Sequence, residues 1–145
     1  MSAERQFVDT NVLVHAHDRS AGEKHSRARA LLAELWDSQA GCLSIQVLQE
    51  FYVNITRKVA HPLDPATARQ IVADLGHWQV HSPTVNEVLE AIALQQRYGL
   101  SFWDAMIVTS AIQLGCSMVW SEDLNAGQDY DGARVVNPFT QTTSG

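Results

Sequence analysis

Short apolar runs recur along this chain at separations mostly too long for tight hairpins, and that spacing limits the folds open to it. They are Gln6 to Val8 or slightly beyond, Cys42-Leu43-Ser44-Ile45, Trp78-Gln79-Val80-His81, Cys116-Ser117-Met118-Val119-Trp120 and, more weakly, Ala133-Arg134-Val135-Val136. The first is partly β-branched and does not alternate, as in a parallel strand covered on both faces. Between the runs the apolar residues follow a helical period. Ala28, Leu31, Leu32, Leu35 and Trp36 make one stripe over about 23–37. Val47, Leu48, Phe51, Tyr52 and Ile55 make a second over about 45–59, with Glu50 at its edge. Asp64-Pro65 marks a helix start, an N-cap acid followed by proline, and Gly76 its end. Further helices are expected over about 85–98, closed by Gly99, and over 102–114, capped by Ser101 and closed by Gly115. Strands alternating with helices specify an α/β protein with a mostly parallel sheet, and right-handed crossovers place helices on both faces.

The length of 145 residues favours one domain, 1–145, and the hydrophobic and charged fractions of 46% and 18% are those of a folded chain. No apolar stretch is long enough to span a bilayer, and the N-terminal residues lack a signal-peptide layout, so a cytoplasmic protein is expected. Cys42 and Cys116 form no Cys-x-x-Cys pair and read as two reduced core thiols. Trp36, Trp78, Trp103 and Trp120 fall inside apolar patterns and are expected in the core rather than as base-stacking platforms.

Two of the apolar segments contain a carboxylate. Asp9 interrupts Phe7-Val8-Asp9-Thr10-Asn11-Val12-Leu13-Val14, and Asp104 interrupts Phe102-Trp103-Asp104-Ala105-Met106-Ile107-Val108. A carboxylate within a core costs several kcal/mol unless something cationic meets it. With Glu50, Glu122 and Asp123 as further acids, the pattern suggests a site of hard oxygen ligands, suited to Mg²⁺ or Mn²⁺. Ligands of parallel sheets bind beyond the carboxyl ends of the strands where strand order reverses. Asp9 and Asp123 meet there if the first and fourth strands are neighbours. Simpler roles exist for each acid. Ser101-Phe102-Trp103-Asp104 is nearly a capping box, and Asp9 could cap the turn after its strand. Glu50 alone reads as a surface residue, and Glu122 as a solvated neighbour of Asp123. His15-Ala16-His17, if extended, would put two imidazoles on one face as half of a zinc site, without a third ligand nearby. Asp18 reads as a cap for the next helix.

Val8-Asp9-Thr10-Asn11-Val12-Leu13 resembles the opening motif of the PIN-domain ribonucleases. Glu50 fits their second acid, Trp103-Asp104-Ala105-Met106-Ile107 resembles their third motif, and Ser121-Glu122-Asp123-Leu124 fits their fourth. Together with Gly127-Gln128 and Val135-Val136-Asn137-Pro138-Phe139, the chain looks most like the VapC-like toxins of bacterial toxin–antitoxin pairs. The resemblance runs from the first strand to about Phe139. It implies a three-layer α/β/α domain with about five mostly parallel strands, and metal-dependent endonucleolytic cleavage of RNA. It also implies a homodimer and a cognate antitoxin whose tail covers the site. By the same resemblance Asp9 and Asp104 would ligate Mg²⁺ or Mn²⁺ directly. Glu50 and Asp123 would complete the acidic site, Ser121 would orient water or a carboxylate, and Asn11 would hold the Asp9 turn.

A net charge of −6 argues against a nonspecific nucleic-acid binder, which would normally be basic, but does not exclude a nucleic-acid enzyme whose positive charge arrives as bound metal. Few basic residues are available to grip phosphates: Arg19, Lys24, Arg27 and Arg29, then Arg57 and Lys58, all of which also read as solvated helix faces. Two other functions compete. A PIN-like binding module would keep the acids yet act through partners. A haloacid-dehalogenase-like phosphohydrolase would need a second Asp two residues after Asp9, where Asn11 stands. No Gly-x-Gly-x-x-Gly or P-loop follows the first strand.

Overall fold

A computed structural model describes residues 4–140 of the chain. The elements are β1 (Gln6–Val8), α1 (Thr10–His17), α2 (Glu23–Ser38), β2 (Gly41–Ser44), α3 (Ile45–Arg57) and α4 (Pro65–Leu75). They continue with β3 (Gln79–His81), α5 (Val85–Tyr98), α6 (Phe102–Gln113), β4 (Met118–Trp120), β5 (Asp129–Tyr130) and β6 (Ala133–Val136). A single sheet has the strand order β3-β2-β1-β4-β6-β5, parallel throughout except that β5 runs antiparallel to β6. Helices α1 and α2 pack together, as do α5 and α6, giving the three-layer α/β/α arrangement expected from the β–α alternation. Phe7, Val8, Leu43, Val119 and Val135 fill the sheet's share of the core. Every residue of α6 from Ala105 to Ala111 is buried, so this helix is apolar all round because it is covered all round.

Three local differences from the sequence expectations have physical causes. First, the apolar segment after Asp9 is helix α1, not a continuation of β1. Asp9 has extended backbone and accepts from the Thr10 amide as the helix N-cap, and Val12, Leu13 and Ala16 are buried on one face. His15 and His17, two residues apart on a helix, therefore point to different sides. His15 meets Glu122, and the Nδ1 of His17 lies 2.9 Å from the Leu13 carbonyl, so they form no zinc pair. Second, the sheet has a sixth strand. Asp131 and Gly132 have φ of 51° and 100°, and link Tyr130 to Ala133 in a two-residue hairpin of the kind an Asp-Gly pair favours. Third, Asp18 is indeed a cap, but of a single 3-10 turn at Arg19–Ala21 that precedes α2. Both cysteines are buried and free. Gly41 has a steric duty: a β-carbon there would collide with the ring of Trp78, which lies across β2.

The central position of β1 has a functional consequence. Chain progression runs from β1 through β2 to β3 on one side and from β4 to β6 on the other. The strand order reverses between β1 and β4, opening a crevice at their carboxyl ends.

Candidate active site

Asp9 follows β1 and Ser121 follows β4, and both continue the sheet by one residue. The Asp9 amide donates to the Trp120 carbonyl (2.9 Å), and the Ser121 amide donates to Val136 (3.0 Å). The Ser121 hydroxyl then donates to Asp9 Oδ2 at 2.7 Å and accepts from the amides of Asp123 and Leu124 at 3.1 and 3.2 Å. One buried hydroxyl thus fixes the Asp9 carboxylate and shapes the loop carrying Asp123. Asn11, in the first turn of α1, bridges the same two acids. Its amide donates to Asp9 Oδ2 (3.2 Å) and to Asp123 Oδ2 (3.1 Å), while its carbonyl accepts from the Glu122 amide (3.2 Å).

Glu50 reaches the crevice from α3. Its Oε1 accepts from the Thr10 hydroxyl at 2.7 Å, and its Oε2 accepts from Gln46 at 3.3 Å. The Gln46 amide also donates to the Trp103 carbonyl (3.2 Å), tying α3 to the first turn of α6, where Asp104 lies. Ser101 caps that turn by accepting from the Asp104 amide at 3.1 Å, but the reciprocal half of a capping box does not form. The Asp104 side chain instead lines a cleft of about 250 Å³ together with Asp9, Glu50 and Asp123. Thr10, Asn11, Gln46, Asn54, Trp103 and Ile107 complete its walls, so among the described residues no lysine or arginine side chain lines it.

Electrostatics follow from that composition. Burial pushes the Asp9 carboxyl from its ordinary value of 3.8 up to about 6, and the charges of Asp123 and Asp104 add to the rise. Hydrogen bonds from Ser121 and the Thr10 amide oppose it without cancelling it. The cleft is therefore short of positive charge where its carboxylates converge. Its donors are hard oxygens, which fits Mg²⁺ or Mn²⁺. Among the described residues no three acidic, histidine or cysteine side chains form a ready-made metal cage. Mg²⁺ does not require one, since one or two carboxylates, water and substrate phosphate oxygens commonly complete its shell.

All of the site residues chosen from sequence, Asp9, Asn11, Glu50, Asp104, Ser121 and Asp123, are brought to this one crevice. Glu122 is not a solvated neighbour of Asp123. It turns the other way, with Oε1 2.7 Å from His15 Nε2 and Oε2 accepting from Lys24 at 2.7 Å. Burial alone would raise its carboxyl, but the bonds from Lys24 and His15 outweigh that and hold it below the ordinary range. Thr10, Gln46, Asn54 and Trp103 were not foreseen as cleft residues. Gln46 had a signal: it lies one helical turn before Glu50, on the same face. Trp103 had none, because it falls in an apolar sequence pattern that reads as core.

A family model described as the PIN domain matches residues 7–128. A search of curated proteins finds no significant match. Among solved structures, the fold is similar to that of a toxin–antitoxin complex from Klebsiella pneumoniae, with a TM-score of 0.68 and 21% identity over 92% of this chain and 98% of that one. It is also similar to VapC20 of Mycobacterium tuberculosis, a sarcin-ricin-loop-cleaving toxin (TM-score 0.61, 21% identity, 81% of this chain and 91% of that one). FitAcB from Neisseria gonorrhoeae matches with a TM-score of 0.57 and 17% identity over 94% of this chain and 99% of that one.

Proposed function

The chain belongs to the PIN domain family, and from that premise we propose that it is a metal-dependent endoribonuclease, the toxin of a toxin–antitoxin pair. One observation carries the reading: carboxylates from four separate parts of the fold share a cleft in which no described lysine or arginine lines the wall, and the buried one resists ionisation. A structural role alone gives no reason to gather them.

Asp9 and Asp104 would hold Mg²⁺ or Mn²⁺ directly, with Glu50 and Asp123 completing the shell or holding its waters. When bound, such a cation supplies activation of water for attack on a phosphodiester and neutralises charge developing on the phosphate. The protein's own groups do the positioning. Ser121 and Asn11 fix the Asp9 carboxylate, and Asn11 spaces it from Asp123. Thr10 and Gln46 hold both oxygens of Glu50, so that acid is aimed before substrate arrives. The dense hydrogen bonding lowers the reorganisation needed during reaction. A protein partner is supported by α5, which exposes Val85, Leu89 and Ile92 at helical spacing. An antitoxin and a second copy of the chain are the partners this reading expects.

The test is cleavage of mixed cellular RNA with Mg²⁺, with Mn²⁺ and with chelator, comparing the wild type with Asp9→Asn. Metal-dependent cuts that vanish in the variant are expected. Equal cutting by both proteins would remove the acidic cleft from the reaction.

A further inference from the structure

We propose that Trp103 is a stacking platform for one unpaired nucleobase of the substrate, seated beside the carboxylate cleft; this deepens the nuclease reading and rests on it. Trp103 is 62% exposed, whereas the same helix is buried throughout from Ala105 to Ala111. Its ring is not a loose surface side chain. Phe102 packs edge-on against it at 5.0 Å between centroids and 73° between planes. Its carbonyl is held by Gln46, the same amide that holds Glu50. Trp103 therefore lines the cleft with its backbone tied to Gln46, which also holds Glu50, and it directly precedes Asp104 in the chain.

A flat, exposed aromatic surface against such a cleft suits a base that has left its stack, since every base has a π-face. Asn54 adds a second element. It lines the same cleft, and its side-chain amide has no hydrogen-bond partner among the described residues. A carboxamide beside a stacking ring can donate to and accept from a base edge. Charge supplies the third argument. With 10 basic residues against 16 acidic ones, and none of the basic ones on the cleft wall, phosphate contacts contribute little affinity. Stacking does not depend on net charge. The preferred substrate is then RNA with a flipped or single-stranded base next to the scissile bond, rather than a continuous duplex.

The test measures binding of a fluorescein-labelled, mixed-sequence single-stranded RNA decamer by anisotropy over a range of KCl, with Ca²⁺ as the neutralising cation. Cleavage in Mg²⁺ or Mn²⁺ is followed in parallel. Trp103→Ala is expected to weaken binding about ten- to hundredfold, with Trp103→Phe retaining most of it. The salt dependence stays the same in all three proteins, because no phosphate contact is lost. Thermal midpoints stay close, since the ring is mostly exposed. A Trp103→Ala protein that binds within twofold of wild type overturns the proposal, and so does unchanged RNA binding coupled to lost retention of a co-expressed partner protein. A wild type that binds through Trp103 but never cuts overturns the nuclease reading and leaves the platform standing. A wild type that binds no RNA overturns both.

Discussion

Replacing Asp9 by asparagine should stabilise the metal-free protein at neutral pH and destabilise it in acid. The folded Asp9 carboxyl titrates at about 6 against 3.8 ordinarily. Between those values the folded chain keeps a proton that the unfolded chain has released. The stability linked to Asp9 is therefore full below about pH 4 and is lost as pH rises through about 6. At about 1.4 kcal/mol per pH unit, the gap amounts to about 3 kcal/mol. Asp9→Asn never ionises and escapes that loss. It brings a cost of its own: Oδ2 now accepts from both Ser121 and Asn11, and an amide nitrogen there would face two donors. That mismatch costs about 1–2 kcal/mol at every pH. Above neutrality the variant should gain a net 1–2 kcal/mol, roughly 3–6 °C in midpoint. Below about pH 4 it should lose about as much. Urea unfolding followed by tryptophan fluorescence in EDTA, from about pH 4 to about pH 8, measures the difference between the two proteins. A difference that stays flat across that range would refute the argument that burial and the neighbouring acids oppose ionisation of Asp9.

Other consequences stem from single contacts. Ser121→Ala deletes one donated and two accepted bonds of a fully buried hydroxyl, so it should cost about 2–4 kcal/mol in urea unfolding and lower activity more than tenfold. Glu122→Gln removes the charge that pairs with Lys24 and His15 outside the cleft; RNA cleavage should stay within about twofold and stability fall by no more than about 1 kcal/mol. Gly41→Ala drives a β-carbon into the Trp78 ring and should cost about 1–3 kcal/mol in the thermal or urea midpoint without altering metal dependence.

Much of the architecture can be read from local pattern. The helix from Val85 to Tyr98 coincides with its expected bounds, because Thr84 and Glu87 form a true capping box and Gly99 takes the left-handed φ of 68°. The apolar runs at 78–81 and 116–120 are strands once their ends are trimmed, and the run at 42–45 is a strand one residue earlier, at Gly41–Ser44. Helix α1 escaped because its β-branched valines imitate a strand, and its true signature is the capping Asp9 that chemistry had already claimed. The hairpin of β5 with β6 escaped although Asp131-Gly132 announces it, because β5 is only two residues long.

Local chemistry determined which acids were unusual. A carboxylate inside an apolar run is conspicuous wherever the run folds, so Asp9 and Asp104 could be named from their neighbours, with Glu50, Glu122 and Asp123 as further acids, and family likeness gave Glu50 its place and added Ser121 and Asn11. Tertiary structure alone decided their meeting. Sequence says nothing about whether β1 lies beside β4, and only that adjacency lets Ser121 reach Asp9 and Asn11 span Asp9 and Asp123. It also separated residues that composition leaves equivalent. Glu122 and Asp123 are consecutive acids, yet the turn after β4 sends one to Lys24 and the other to the cleft. Trp103 looks like core by its neighbours but stands in the open, because a helix's first turn clears the layer that buries the rest. Side-chain direction depends on backbone path and on packing partners distant in the chain, and those are settled only when the sheet closes.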